Sequence, residues 1–299
     1  MRAVTLDDFG AQPALRDDLP EPAPGPGQVL VRVLVSSVNR IDAAIAAGML
    51  KDMIPYEFPV TLGRDFAGVV EAVGEGAGFA AGDEVFGMIP AMAAPIRDGA
   101  WAELIVSSVD TLTRRPPAVD TATAGVAGLA AVTAVMCVDA LELSAGDSVL
   151  VVGATGGVGS IAVQLAVAAR ATVIAPGLPE DEEFLRDLGV GEVVPRDGDV
   201  GVRADAILDA VSQAPGAYDA ALKDGGRVAS PTNAAGEGPG RTNVMNQPSA
   251  ELLARIAGLL ADGIVKVPIQ RTYELAQARE ALQALGSDHT QGKLALRVA

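Results

Sequence analysis

Cysteine and histidine are almost absent from this sequence, which has one of each in 299 residues, Cys137 and His289. A single cysteine cannot form an intrachain disulfide, so we expect an intracellular, cytoplasmic protein. Zinc is held in proteins mainly by thiolate and imidazole ligands, and a site made of carboxylates alone suits it poorly. We therefore predict no catalytic zinc and no other metal site.

Basic residues are also scarce. The chain has 22 Lys and Arg against 38 Asp and Glu, which gives a net charge of −16 and a pI near 4.4. This excess of negative charge argues against nucleic acid and anionic membrane surfaces as partners. The first ten residues contain Asp7 and Asp8 and no apolar run, so no secretory signal is predicted. Two uncharged stretches, 121–138 and 149–169, are rich in Ala and Gly, and we expect buried core elements there.

The most informative stretch is residues 149–166, VLVVGATGGVGSIAVQLA. An uncharged β-branched run, a glycine cluster and an Ala-, Val- and Leu-rich segment follow one another, as expected for strand, turn and helix. Ala154-x-Gly156-x-x-Gly159 matches the dinucleotide-binding fingerprint with Ala in the first position. Such a turn lets the backbone and the helix N-terminus approach a pyrophosphate. The predicted cofactor contacts here are Ala154, Thr155, Gly156, Gly157, Val158 and Gly159. The alternative is a glycine-rich turn that binds nothing.

The pattern of elements changes near residue 121. Before it, short strand candidates separated by glycines and prolines predict a compact, barrel-like β domain. After it, strand and helix candidates alternate, which predicts a parallel sheet with crossover helices. The strand candidates are 149–152, 172–175, 192–194, 206–208 and 227–230, and the helix candidates between them are 159–169, 180–188 and 214–222. A last strand at 293–298 is expected to pair in the first domain.

Several motifs are spread over nearly the whole chain. They are MRAV at 1–4, PGPGQVLVRV at 24–33, SVNRID at 37–42, GRDFAGVV at 63–70, GDEVFG at 82–87, GGVGSIAVQLA at 156–166 and QGKL at 291–294. Together they resemble the zinc-independent medium-chain dehydrogenases/reductases of the quinone oxidoreductase type. The resemblance implies an α/β fold with a GroES-like β-rich catalytic domain (1–120 and 265–299) and a Rossmann doubly wound parallel-sheet domain (121–264). It also implies a cleft between the domains and a homodimer.

The resemblance directs attention to Asn39 and to Arg64-Asp65. Where zinc-dependent relatives place a His-Glu pair, this sequence has Arg64-Asp65. A simple ketone normally needs a metal to polarise it, whereas a quinone or an α,β-unsaturated carbonyl spreads the incoming charge by conjugation. We therefore predict metal-free hydride transfer from NAD(P)H to a conjugated acceptor such as a quinone. In the family pattern Asn39 lies beside the nicotinamide and the substrate oxygen, where its amide would stabilise a developing oxyanion. The alternative is an Asn that only orders its own loop.

Competing functions remain. An enoyl reductase for α,β-unsaturated carbonyls uses the same scaffold. A cofactor-binding protein without turnover also stays open, because two tyrosines that some quinone reductases carry are absent, and Ala44 and Leu50 stand at the aligned positions. A short-chain dehydrogenase would need a Tyr-x-x-x-Lys pair, and Tyr218 is followed at that spacing by Leu222, so this class is excluded.

Cofactor preference depends on the ends of the second and third strands. The second strand ends at Ala175-Pro176-Gly177, without the acid that usually binds the ribose hydroxyls of NAD. The acids at 180–183 are expected to begin a helix. Arg196 follows the third strand, where relatives often have a tyrosine near the 2′-phosphate, and a guanidinium there would bind that phosphate. We expect NADPH, with NADH as the alternative.

Further cofactor contacts are predicted in the second half of the chain. Thr133 matches a family threonine near the nicotinamide; the alternative is a threonine bonded within its own helix. Residues after the fourth and fifth strands would lie on the carboxyl edge of the sheet, where such sheets bind ligands. These residues are Ala210, Val211, Ser230, Thr232 and Asn233. Their backbone groups, more than their side chains, are expected to hold the carboxamide.

Overall fold

The computed structural model describes residues 1–90, 92–196 and 200–299. Its strands are β1 (Ala3–Leu6), β2 (Ala14–Arg16), β3 (Gln28–Val38), β4 (Val60–Thr61), β5 (Asp65–Val73), β6 (Glu84–Met88), β7 (Leu104–Ser108), β8 (Leu112–Arg114), β9 (Ser148–Val152), β10 (Thr172–Gly177), β11 (Glu192–Pro195), β12 (Ala204–Asp209), β13 (Leu222–Ser230), β14 (Arg241–Asn243), β15 (Ile269–Glu274) and β16 (Lys293–Arg297). Its helices are α1 (Arg40–Ala46), α2 (Thr121–Ala140), α3 (Gly157–Ala168), α4 (Glu182–Asp187), α5 (Ala250–Ala261) and α6 (Ala278–Ser287).

The chain forms two compact units, and the boundary between them lies within α2. The first unit comprises Met1–Leu129, Gln247–Ala261 and Ile269–Ala299, and the second comprises Ala130–Asn246 and Asp262–Pro268. The division expected from the sequence, 121–264 against the remainder, differs from this one mainly at α5. That helix packs on β8 and therefore belongs with the first unit.

The first unit is mainly antiparallel β-structure. One sheet has the order β2-β1-β4, and the other has the order β15-β16-β3-β5-β6-β8, with β7 also paired to β3. In β3 the side chains of Val29, Val31 and Val33 are fully buried while Arg32 is exposed, as the alternation in the sequence predicts. The last strand, β16, pairs antiparallel with β3, so the expected pairing of the chain end in the first domain is confirmed.

The second unit is a parallel sheet of six strands in the order β11-β10-β9-β12-β13-β14. If these strands are counted from β9, the order is 3-2-1-4-5-6, that of the doubly wound dinucleotide-binding fold. Its core includes Leu150, Ile174 and Ile207, one from each of the three central strands. The predicted fold class, a GroES-like β-rich domain with a Rossmann domain, is confirmed.

The helix predicted at 214–222 is wrong. Gly216 adopts φ +75°, which a right-handed helix cannot accommodate, and its N–H donates to the carbonyl of Ala234 instead. Only Asp219–Ala221 makes a single 3₁₀ turn, and β13 begins directly after it at Leu222. The segment is rich in alanine, which favours a helix. Its composition does not show that a glycine reverses the chain there.

Helix α2 is long and apolar enough, by length and composition, to cross a membrane. However, 67% of its most apolar window is buried within the fold. A Cβ atom on Gly125 would lie 2.7 Å from the Cβ of Val35 on β3, so the helix approaches the sheet too closely for a larger residue. This burial accounts for the apolar sequence of α2, as expected for a core element.

Candidate functional site

The predicted dinucleotide turn lies between β9 and α3 in the second unit. Gly153 follows β9 with φ +84°, a conformation that favours glycine. Gly156 is the N-cap of α3 in an extended conformation. A Cβ atom on Gly159 would lie 2.0 Å from the carbonyl oxygen of Gly153, so the first turn of the helix packs directly on the backbone that leaves the strand. Strand, turn and helix therefore have the close packing that the fingerprint requires.

This turn also leaves room for a ligand. Of the residues that the structure describes, a Cβ atom on Gly156 would meet only Gly153, at 3.4 Å from its carbonyl oxygen, so one side of this glycine is free of them. The N–H groups of Gly157, Val158 and Gly159 belong to the first turn of α3 and have no carbonyl one turn earlier in the helix to accept from them. Free N–H groups at the positive end of a helix dipole fit a pyrophosphate. The residues present thus fit a dinucleotide cofactor.

The ends of β9 and β12 meet beside the glycine turn. The N–H of Ala210 donates to the carbonyl of Val152, and a Cβ on Gly153 would lie 2.5 Å from a methyl group of Val211. Asp209, buried at the end of β12, accepts from the N–H groups of Val211 and Ser212 and so fixes this turn. Asp209 was not among the predicted residues. The structure therefore places Ala210 and Val211 at the point where the strand order reverses, where such sheets bind ligands.

The hydroxyl groups after β13 are used within the protein. The fully buried Ser230 hydroxyl accepts from the N–H groups of Thr232 and Ala234, and the Thr232 hydroxyl donates to the carbonyl of Ser212 at 2.6 Å. Asn233 is exposed and adopts φ +65°. These side chains shape the loop, and the expected contacts of its backbone groups with a cofactor stay a prediction.

Thr133 and Arg196 have very different surroundings. Thr133 is buried in α2, and its hydroxyl accepts from the Asn246 side chain at 2.8 Å. Arg196 is exposed and directly follows β11, whose Pro195 is paired with Gly177 at the end of β10.

The first acid whose side chain turns inward after β10 is Asp181, whose buried carboxylate accepts from the N–H of Leu178. Asp181 is therefore engaged by the backbone of its own turn.

A buried polar cluster in the first unit surrounds the predicted catalytic residue. We call the side chains of Ser37, Asn39, Asp65 and Lys293 the Asp65 cluster. Asp65 Oδ2 accepts from the Ser37 hydroxyl, from Asn39 Nδ2 at 3.0 Å and from Lys293 Nζ at 3.3 Å. Asp65 Oδ1 accepts from the backbone N–H of Leu129 in α2. Asp65 is fully buried and Lys293 is 4% exposed, so this is an ion pair almost entirely out of water.

Asp42 anchors the loop that carries Asn39. Its carboxylate accepts from the N–H of Asn39 at 2.8 Å and from the N–H of Gly63 at 3.1 Å. Complete burial raises the pKa of Asp42 to about 6, against the effects of the Arg64 charge and the Asn39 N–H, which lower it. Asp42 thus fixes the backbone of Asn39, while the Asp65 cluster fixes its side chain.

Arg64 is buried away from water, and not every nitrogen of its guanidinium group has a hydrogen-bond acceptor among the described residues. It is 1% exposed, and its Nη1 donates to the carbonyl of Asp98 at 3.1 Å. Within the described part of the chain, its Nε and Nη2 have no hydrogen-bond acceptor. Burial lowers the pKa of Arg64, while the nearby Asp42 carboxylate acts against that shift.

The donor set does not fit zinc. Over residues 1–90, 92–196 and 200–299, no three His, Cys, Asp or Glu side chains are grouped as metal ligands. Burial raises the pKa of Cys137 to about 12, which disfavours the thiolate that binds metals. The Asp65 carboxylate, at the position of the family glutamate, is already occupied by Lys293 and its neighbours.

A Rossmann unit with a dinucleotide turn and a GroES-like unit in one chain define a two-domain dehydrogenase. Residues 25–117 match the model of the alcohol dehydrogenase GroES-like domain, and residues 182–296 match the model of the zinc-binding dehydrogenase. Together these two models cover most of the chain, which belongs to the medium-chain dehydrogenase/reductase family and has relatives named quinone oxidoreductase. One solved structure that is 28% identical, with a TM-score of 0.87 over 100% of both chains, is an NAD-dependent alcohol dehydrogenase.

Three comparisons illustrate this membership. A chloroplast envelope quinone oxidoreductase homolog of Arabidopsis thaliana is 29% identical, with 98% of this chain and 97% of that protein aligned. The quinone oxidoreductase structure from Coxiella burnetii is 27% identical, with a TM-score of 0.88 over 100% of this chain and 99% of that one. A mycocerosic acid synthase-like polyketide synthase of Mycobacterium tuberculosis is 33% identical over 92% of this chain. The chain spans 14% of the length of that synthase.

The sequence indicated the glycine turn but missed the partners of Asn39. Asp65 and Lys293 were noticed only as parts of family motifs, since 228 positions separate them. One available signal was Lys293 itself, a lone charge at the start of the apolar run KLAL. A charged residue at the start of a buried strand indicates a buried partner of opposite charge.

Replacing Gly159 with Ala should loosen the dinucleotide turn. The new Cβ would lie 2.0 Å from a backbone oxygen that cannot move without separating α3 from β9. We expect a loss of about 1–3 kcal/mol in the free energy of unfolding and weaker cofactor binding, measured by urea unfolding and fluorescence titration. Gly258→Ala in α5 is the matched control, because a Cβ there meets nothing within 4 Å. An unchanged free energy of unfolding in Gly159→Ala would contradict this packing.

The raised pKa of Asp42 predicts a pH dependence of stability. Because the folded pKa of about 6 lies above the ordinary value of 3.8, the folded state binds this proton more tightly. The resulting stabilisation is fully present below the ordinary pKa and is lost as the pH rises through the folded one. At about 1.4 kcal/mol per pKa unit, the loss is about 3 kcal/mol. Unfolding curves measured across this range should show the loss in wild type but not in Asp42→Asn. Parallel pH profiles for the two proteins would contradict the prediction.

Proposed function

We propose that this chain is an NADPH-dependent, metal-free reductase that transfers hydride to a conjugated acceptor such as a quinone. The observation that supports it most directly is the state of Asp65, at the position of a family metal-site residue. Its carboxylate is neutralised by Lys293 and binds Asn39 and Ser37 instead of a metal. An acceptor that delocalises negative charge needs only hydrogen-bond donors, which this unit offers.

The chain's own residues have two tasks in this proposal. The glycine turn and the N-terminus of α3 hold the pyrophosphate, and the turns after β12 and β13 hold the nicotinamide end through backbone groups. The cofactor, when bound, supplies the hydride, and water supplies the one proton that completes the reduction. Asn39, which is 7% exposed, offers an amide N–H to the acceptor oxygen as negative charge develops there.

A panel of acceptors tests the proposal. NADPH absorbance should fall with quinones or with α,β-unsaturated carbonyls. Reduction of enoyl substrates but no quinone would favour the second candidate, an enoyl reductase, which the 33% identity to a polyketide synthase supports. Cofactor binding without oxidation of any acceptor would overturn the proposed enzyme and favour a binding protein without turnover.

Replacing Asn39 with Ala should slow the reaction more than it weakens binding. Loss of one donor to a developing oxyanion typically costs about 100-fold in kcat. We expect a fall of that order with a smaller change in the KM for the acceptor, measured by steady-state kinetics. An unchanged kcat in a variant with wild-type unfolding behaviour would show that Asn39 only orders its loop.

Replacing Arg196 with Ala should weaken NADPH binding selectively. We propose that the exposed guanidinium at the end of β11 binds the 2′-phosphate, which NADH lacks. Fluorescence titrations should show Kd for NADPH raised about 10-fold, equivalent to about 1.4 kcal/mol, with Kd for NADH unchanged. Arg203→Ala, which removes an exposed arginine paired with Asp224 in the same unit, is the control. Equal wild-type affinities for the two cofactors, or no effect of Arg196→Ala on NADPH, would refute this assignment.

A further inference from the structure

Lys293 makes its contacts where the last strand begins beside β3. Its neighbour Leu294 is paired with Val38, which brings the ammonium next to Asn39. Nζ donates to Asn39 Oδ1, to the Val38 carbonyl at 3.4 Å and to Asp65 Oδ2 at 3.3 Å. An ammonium has three N–H donors, and these three acceptors use all of them. Lys293 is therefore engaged within the protein and is not placed to hand a proton to a substrate.

The charges on either side of Asn39 allow only one orientation of its amide. An ammonium can only donate, and a carboxylate can only accept. The amide oxygen must therefore face Lys293, and the amide nitrogen must face Asp65, as observed. A flipped amide would direct N–H groups at the ammonium and an oxygen at the carboxylate. The two opposite charges thus fix the direction in which the amide nitrogen of Asn39 faces.

Among the described residues, the Asn39 amide has acceptors for one of its two N–H groups, which leaves the other for an external acceptor. Nδ2 lies 3.0 Å from Asp65 Oδ2 and 3.2 Å from the Ser37 hydroxyl oxygen. Those two oxygens are hydrogen-bonded to each other, so they lie in similar directions from Nδ2. The two N–H bonds of an amide diverge by about 120°, so a single N–H serves both oxygens and the second is directed elsewhere.

We propose that Lys293 is a positioning residue that fixes the Asn39 amide so that its second N–H is presented to the oxygen of the conjugated acceptor. The inference rests on the proposed function for its effect on catalysis. A lysine that only neutralised Asp65 would not need to bond to the amide oxygen. The additional bond makes the orientation of Asn39 depend on a residue 254 positions away in the sequence.

Three variants separate positioning from charge balance. Lys293→Met removes the bond to Asn39 and leaves Asp65 buried without its counter-charge, so it is expected to be less stable. Lys293→Met with Asp65→Asn removes both charges and should recover stability, but the amide is again free to flip. Lys293→Arg retains a charged donor. We expect kcat to fall at least 10-fold in both Met variants, with partial recovery in the Arg variant and unchanged affinity for NADPH. Lys223→Met, which breaks the exposed pair with Asp205, is the matched control.

If the double variant regains wild-type kcat together with stability, Lys293 has only a structural role and the inference is overturned.

A second measurement does not depend on turnover. The chain has four asparagines, Asn39, Asn233, Asn243 and Asn246, so NMR of protein labelled with ¹⁵N-asparagine resolves few side-chain amides. Asn39→Ala assigns the relevant pair. Wild type should show one exchange-protected and one exposed Asn39 amide proton, and the double variant should lose that difference. Rapidly averaging Asn39 amide protons in wild type would overturn the inference, whereas reduction of no acceptor would overturn only the proposed function.

Discussion

The buried carboxylate of Asp65 is the constraint on which the first unit depends. A charge that is fully removed from water is tolerated only when it is paired and hydrogen-bonded. Asp65 meets that requirement by drawing partners from β3, from the loop before α1, from the last strand and from α2. A Cβ on Gly128 in α2 would lie 2.6 Å from the carbonyl oxygen of Gly87 and 2.9 Å from Asp65 Oδ1, so the backbone of α2 approaches the carboxylate too closely for a larger residue at this position. One side chain thus joins segments that are far apart in sequence.

In the second unit, the candidate cofactor site consists of glycines and backbone groups and not of interacting side chains. Gly153 and Gly159 bring strand and helix together, and the open side of Gly156 gives a phosphate access to helix N–H groups. The side chains after β12 and β13 mostly hold their own turns. In the proposed function, these main-chain groups bind the part that all dinucleotides share, and selectivity between dinucleotides comes from a peripheral residue. Arg196 has the charge and the exposure for that role.

The structural features that could be predicted from the sequence are those that depend on short-range patterns of residues. The glycine turn, the alternation in β3 and the parallel sheet after residue 121 each follow from neighbouring residues. The helix at 214–222 was wrong because one glycine with positive φ reverses a segment of favourable composition. The partners of Asn39 were missed for a different reason, since Asp65 and Lys293 meet only after β3, β5 and β16 have paired. Patterns of charge in a linear sequence do not show which buried acid will meet which buried base.

The central claim is that the acceptor must delocalise charge because no metal polarises it. The most direct measurement compares an α,β-unsaturated ketone with its saturated counterpart, using enzyme dialysed against a strong chelator. The account predicts that NADPH is oxidised by the unsaturated ketone at an unchanged rate after dialysis, and not by the saturated one. Reduction of the saturated ketone, or loss of activity that returns on addition of zinc, would contradict it.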